Sequence, residues 1–276
     1  MNQYKNMNNL SKLFTNLLTV TLFVGLMFND QLRSESEPYT PTTMITGANR
    51  GIGLEFTKQY LQKGWKVIAT CRTPDRADEL NNLKKNYPDH LSIMQLDVTD
   101  HNRIDELALQ LSGIPVDVLL NNAGISGGSS NQIFGTMDYK VYEDVLAVNT
   151  IGPLKMAEAF YPHVKGSQLK KIITVSSSEG SIETAFKRGG GRLFFYRSSK
   201  TALNMLMVNL ALQLKSRGIA VGMVNPGATD TDFMTGLPFP MRKPEVAVAD
   251  MIRNIENITV ENTAAYINYN GKPVPW

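Results

Sequence analysis

The chain has 276 residues, 42% hydrophobic and 19% charged, with 28 Lys and Arg against 25 Asp and Glu. That much apolar material excludes a disordered chain. A net charge of +3, with its basic doublets far apart (Lys84-Lys85, Lys170-Lys171, Lys187-Arg188), gives no footing for nucleic acid. The single cysteine, Cys71, excludes an internal disulfide and any cysteine-built zinc or iron–sulfur site, and His90, His101 and His163 lack metal-ligand spacing, so no metal site is expected.

The first forty residues differ from the rest. An apolar run, LFTNLLTVTLFVGLMF at 13–28, follows Lys5 and Lys12 and gives way to polar NDQLRSESEPYTP. The arrangement resembles a secretory signal or short anchor. The run is nevertheless shorter than the ~20 residues that cross a bilayer comfortably, and no A-x-A pattern follows it. A leader without topological meaning is the alternative, with Met27 as an internal start. The expected division is 1–41 as leader and linker and 42–276 as one domain, with membrane contact only through 13–28.

From Thr42 onward strand-like and helix-like stretches alternate. TTMITGA (42–48), WKVIATC (65–71), LSIMQLDV (91–98), DVLLNNAG (117–124), KKIITVSS (170–177), AVGMVNPG (220–227) and AAYINY (264–269) read as strands. Between them, Gly64 is placed to end a first helix. Asp100 is placed to cap another, which carries Ile104, Leu107, Ala108 and Leu111 at helical spacing. An amphipathic pattern runs from Asp138 to Tyr161, a helix is predicted over 197–217, and Pro244 suits a helix start. Near-continuous apolar strands separated by helices imply an α/β fold, a doubly wound parallel sheet of the Rossmann type covered on both faces.

The chemistry begins after the first strand, at Thr46-Gly47-Ala48-Asn49-Arg50-Gly51-Ile52-Gly53. Gly47 permits the tight turn, Gly51 a close approach of backbone to a pyrophosphate, and Gly53 close packing of helix on sheet. The helix start then offers free N–H groups to phosphate. At the end of the second strand, where an acid would hydrogen-bond adenosine ribose hydroxyls, the chain has Cys71-Arg72. Arg72, with Arg50 reaching the same spot, would clamp a 2′-phosphate, which favours NADP(H) over NAD(H). Asp97 and Val98 close the third strand, where the adenine should lie. Asn122, Ala123 and Gly124 close the fourth, small enough for a ribose to lie against the backbone.

Two tyrosines have a lysine four residues on: Tyr161 with Lys165, and Tyr196 with Lys200. The first pair lies away from any strand C-terminus and reads as structural. Tyr196 follows the serine-bearing end of the fifth strand. A free phenol titrates near 10. A cation ~4 Å away at an effective dielectric of ~20 is worth about 4 kcal/mol, so the expectation is a Tyr196 pKa drawn down toward roughly 7, suited to general acid–base work.

TGANRGIG, NNAG, the VNT around Asn149, SSSEG, YRSSK and NPGATDTD occur in that order. Together they resemble the short-chain dehydrogenase/reductase family over 42–276. CRTP, YRSSKTALN and YINYNGKPVPW add a closer likeness to its C-factor/sniffer-type carbonyl reductases. The resemblance implies a catalytic set in which Tyr196 is the general acid/base. Lys200 lowers its pKa and holds the nicotinamide ribose, Ser177 (chosen from Ser176, Ser177 and Ser178) binds the substrate carbonyl, and Asn149 supports a relay water. Pro226, Gly227 and Thr231 would hold the carboxamide. The implied activity is NADP(H)-dependent hydride transfer to or from a carbonyl or alcohol carbon of a small molecule. The alternative is a dinucleotide-binding signalling or scaffold protein, and a homodimer is left open. A charge-oriented anchor would export the domain from most NADPH, so a cytoplasmic protein is expected, with an anchored or exported one as the alternative. Ser177 and Tyr196 stand 19 positions apart, longer than the family's usual gap. The extra stretch 181–195 reads equally as a substrate-side flap or a tolerated insertion.

Overall fold

The structure is a computed structural model that describes residues 39–234 and 240–276; the apolar run 13–28 and Met27 lie outside the described residues. Seven strands make one parallel sheet in the order β3-β2-β1-β4-β5-β6-β7. They are β1 (Thr42–Thr46), β2 (Lys66–Cys71), β3 (Leu91–Gln95), β4 (Val118–Asn121), β5 (Lys171–Val175), β6 (Ala220–Asn225) and β7 (Ala265–Asn268). Successive side chains enter opposite layers. Met44, Leu119 and Ile172 point into one core with Ile104, Leu107, Leu203 and Met207. Ile45, Leu120 and Ile173 point into the other with Leu54, Tyr60, Val248 and Met251. Burial on both faces is why these strands carry no polar alternation.

The first layer is supplied by α3 (His101–Gln110), α5 (Gly152–Ala159) and α8 (Phe194–Lys215), the second by α1 (Gly51–Gln62), α2 (Asp78–Asn86) and α9 (Pro244–Glu256). The predicted caps are present. Gly64 stands just beyond α1 at φ +77°. Asp100 accepts from the Arg103 amide at 3.0 Å, and Pro244 opens α9.

Most strands end a few residues before the sequence reading and the long helix runs over Phe194–Lys215, and two differences bear on the site. β3 ends at Gln95, so Asp97 and Val98 lie beyond it. Asp97 instead closes its own turn by accepting from the amide and hydroxyl of Thr99 at 2.9 and 2.7 Å, the local bonding for which Asp favours turns. The stretch 138–161 is not one helix. Asp138 caps α4 (Tyr139–Leu146), a π-helical turn occupies Ala147–Ile151, and α5 follows. The wide turn holds Asn149, and such turns mark functional sites. A further turn, α6 (Tyr161–Lys165), carries the first tyrosine–lysine pair. There Arg217 lies 5.4 Å over the Tyr161 ring, in keeping with a structural role.

Candidate active site

Strand order reverses between β1 and β4, so their C-terminal ends diverge and leave a crevice, the place where open α/β sheets bind ligands. The glycine turn forms one wall. Gly47 and Gly51 have φ of +64° and +53°, a region in which a side chain would be strained. A Cβ on Gly53 would lie 2.2 Å from the Gly47 carbonyl oxygen and 2.5 Å from Asn122 Nδ2. Arg50 precedes α1 and gives it no side-chain cap, so the first amides stay free for an anion. A bare-backbone cradle with uncapped amides fits a dinucleotide pyrophosphate. Gly53→Ala is therefore expected to cost roughly 2–3 kcal/mol, a fall of about 5–10 °C in melting temperature. A thermal melt checks this, and an unchanged Tm would refute the close packing.

Asn122 joins the two strand ends. Its Nδ2 donates to the Thr46 and Gly47 carbonyls at 2.9 and 3.1 Å, and its amide donates to Thr46 Oγ1 at 3.0 Å. Ala123 and Gly124 continue this floor without bulk. Asn49 and Arg72 are exposed on the rim, and Ile52 packs partly against the second core. Arg50, expected to face a phosphate, is instead paired with Asp232 at 3.2 Å, both side chains mostly in solvent. The pair spans from the glycine turn to the segment after β6. Thr231 lies at the same place, since a Cβ on Gly51 would come 3.3 Å from its Cγ2. Pro226 and Gly227 are held from behind by Arg242, which donates to the Pro226 carbonyl at 3.0 Å and lies 4.0 Å over the Tyr269 ring. Sequence reasoning missed Arg242, which carries no motif.

The chemistry-bearing groups converge at the ends of β5 and α8. The Ser177 hydroxyl accepts from the Glu179 amide at 3.2 Å and faces the Tyr196 phenol. Ser176 is buried and donates to Asn204 Oδ1 at 2.7 Å, whereas Ser178 lies against Arg188. Tyr266 donates its hydroxyl to the Ser177 carbonyl. Lys200, only 4% exposed, donates to the Val175 carbonyl at 2.9 Å, and its Nζ lies 5.8 Å from the Tyr196 ring centroid. Asn149 is fully buried in the π turn. Its Oδ1 accepts from the Ile125 amide at 2.9 Å, and its Nδ2 donates to the Ile125 carbonyl at 2.8 Å and to Ser199 Oγ at 3.0 Å. A Cβ on Gly124 would lie 3.4 Å from Asn149 Oδ1 and 3.7 Å from Lys200 Nζ, so amide and ammonium meet beside the same bare backbone. Asn149 thus already holds the segment after β4 in register.

The protonation pattern corrects the sequence expectation. Burial pushes the Tyr196 phenol up to about 12, opposed by the Ser177 hydrogen bond and reinforced by Glu179 and Tyr266. Burial lowers the Lys200 ammonium to about 8. Desolvation, which no spacing rule reveals, is the largest cause of both shifts. The phenol therefore carries its proton at neutral pH.

The stretch 181–195 is ordered around one carboxylate. It folds as α7 (Ile182–Arg188), capped by Ser181, followed by Gly189–Gly191. Glu179 receives Arg197 at 2.6 Å, Arg188 at 2.7 Å and Arg192 at 3.6 Å. Gly180 anchors its start, because a Cβ there would lie 2.9 Å from the backbone of Lys200. Phe233 leans on Tyr196, ring centroids 5.4 Å apart, and Phe134 on Phe194 at 6.4 Å, so the rim is aromatic.

A doubly wound sheet with a glycine turn at its switch point and a tyrosine–lysine–serine cluster at the adjoining strand end defines a dinucleotide-linked oxidoreductase. Residues 41–238 match the short chain dehydrogenase family, and the chain belongs to that family. An oxidoreductase of Schizosaccharomyces pombe is 31% identical over 252 residues, 84% of this chain and 96% of the relative. The C-signal of Myxococcus xanthus is 34% identical over 162 residues, 59% of this chain and 93% of the relative. Among solved structures, the NADPH-bound carbonyl reductase from chicken fatty liver superposes with a TM-score of 0.78 at 32% identity, covering 86% of this chain and 99% of that one. The carbonyl reductase Sniffer of D. melanogaster gives 0.77 at 27%, covering 86% and 100%. No helix among the described residues is long and apolar enough to cross a membrane, and no cluster of metal-ligating side chains occurs among them.

Proposed function

We propose that the protein is an NADP(H)-dependent carbonyl reductase that delivers hydride to the carbonyl carbon of a small organic substrate, or removes it from the corresponding alcohol. The observation that carries this reading is the Tyr196 phenol, facing Ser177 and set beside the buried Lys200 ammonium. NADP(H), when bound, supplies or accepts the hydride. The chain's own residues handle the oxygen. Ser177 orients the carbonyl, Tyr196 gives it a proton, and Lys200 leaves the Val175 carbonyl to bind ribose hydroxyls and keep positive charge near the phenol. Asn149 keeps the segment after β4 in place and supports a water that replaces the proton. The glycine turn holds the pyrophosphate, Arg72 the 2′-phosphate with Arg50 joining it on leaving Asp232, Asp97 and Val98 flank the adenine, and Pro226, Gly227 and Thr231 hold the carboxamide. The NADPH-bound chicken enzyme supports the cofactor choice. A Rhodococcus relative 30% identical over 239 residues is a 1-hydroxy-2-glutathionyl-2-methyl-3-butene dehydrogenase, which supports an alcohol–carbonyl couple.

NADPH consumption against a panel of aldehydes and ketones tests the reading. Turnover is expected with NADPH in preference to NADH, and Arg72→Ala should weaken NADPH binding by about tenfold or more while leaving NADH unaffected, the loss expected of one charge-assisted contact. No turnover on any carbonyl, with NADPH binding retained, would favour a binding scaffold, for which the phenol–ammonium pair has no use.

A further inference from the structure

The helix that carries Tyr196 begins without a cap of its own. Leu193, which precedes α8, has φ +52° and makes no side-chain cap bond. The first amides of any helix lack an intrahelical acceptor, and here the second and third belong to Phe195 and Tyr196. Their acceptor comes from 63 residues away. Gln132, in the segment after β4 and only 4% exposed, accepts from the Phe195 amide at 2.8 Å and from the Tyr196 amide at 3.4 Å. Its other end is equally committed, with Nε2 donating to the carbonyls of Ser126 and Gly128, each at 2.8 Å. Every polar atom of the side chain is therefore used, half on the catalytic helix and half on the loop.

Packing around this joint follows the same line. The Tyr142 ring stacks on Phe195 with centroids 4.7 Å apart, and its hydroxyl lies 2.9 Å from Ser198 Oγ. The chain between Ser126 and Tyr142 is thus fastened to the first turn of α8 on both sides of the tyrosine's backbone.

We propose that Gln132 is a positioning residue for the reaction. It caps α8 in trans and thereby fixes the backbone of Tyr196 against the loop that borders the crevice. This rests on the reading of Tyr196 as proton donor. A phenol displaced by an ångström loses alignment with a carbonyl held by Ser177, so the effect falls on turnover rather than on cofactor binding.

The test compares wild type with Gln132→Met, which keeps the volume but neither accepts nor donates these bonds, and with Asn131→Ala, which releases only the neighbouring 2.9 Å bond to the Gly127 carbonyl. Amide hydrogen exchange over 193–198 is read alongside kcat, KM for NADPH and Tm. In Gln132→Met the Phe195 and Tyr196 amides are expected to exchange at least tenfold faster, with kcat down by about tenfold and KM for NADPH unchanged. In Asn131→Ala both amides stay protected. Unchanged protection in Gln132→Met overturns the proposal. So does freed exchange with unchanged kcat, or exchange that rises throughout the sheet, which would make Gln132 a folding residue. A wild type that turns over no carbonyl while Gln132→Met still frees the two amides overturns the functional reading and the positioning role, and leaves only the cap.

Discussion

Tyr196→Phe is expected to lower carbonyl turnover about 10³-fold while NADPH affinity and melting temperature remain near those of the wild type. The ring contact with Phe233 survives the substitution, so packing is conserved and only the hydroxyl facing Ser177 is lost. Removing a positioned proton donor costs on the order of 10²–10⁴ in rate. The pH dependence follows from the state of the phenol. With the group pushed up to about 12, the donating form persists across neutral pH, so carbonyl reduction should stay nearly level up to about 8, where Lys200 begins to lose its charge. Alcohol oxidation needs the phenolate and should climb with pH. Initial rates in both directions from pH 6 to 10 check this, and an oxidation rate that falls as pH rises would exclude Tyr196 as the base.

Lys200→Met should abolish useful turnover and yet raise the stability of the unliganded protein. Lys200 is 4% exposed, and burial lowers its ammonium to about 8. Below that pH the residue is charged in both folded and unfolded chains, and the folded state bears a desolvation cost of about 3 kcal/mol, the free-energy equivalent of the shift from about 10.4. Methionine fills the space without charge. Loss of the bond to the Val175 carbonyl takes back about 1 kcal/mol, leaving a net gain of about 2 kcal/mol, or roughly 4–8 °C in Tm at pH 7. The sign with pH is diagnostic. As pH rises from about 8 toward 10.5 the folded lysine sheds its proton before the unfolded one does, the wild type gains stability, and the gap between the two proteins closes. Paired thermal melts at pH 7 and pH 9.5 measure it. A variant less stable than wild type at pH 7 would show that the ammonium is not a buried burden.

The sheet was legible because its strands are buried on both faces, so seven apolar runs stand out between helices regardless of tertiary detail. The glycine turn was legible for a related reason, since Gly47, Gly51 and Gly53 each answer a steric demand that acts locally. The π turn at Ala147–Ile151 was not, because the apolar spacing on either side continues nearly in phase through it. Asn149 shows its purpose only once Ile125 is seen beside it. Gln132 and Arg242 escaped notice because their partners lie at Phe195 and Pro226, far along the chain. The proton state of Tyr196 was misjudged for a different cause. Spacing places a cation one helical turn away, whereas burial, which sets the larger effect, is a property of the assembled crevice.

The stretch between Ser177 and Tyr196 is bounded by two independent anchors. Gly180 is seated on the backbone of Lys200 and Gln132 grips the amides of Phe195 and Tyr196. Between them α7 and Gly189–Gly191 are held by Glu179 and, through the Glu183 amide, by the Trp276 carbonyl, and Gly189 and Gly190 meet nothing within 4 Å of an added Cβ. Residues 182–192 therefore lie between two fixed points, so a change in their length need not shift the serine or the tyrosine.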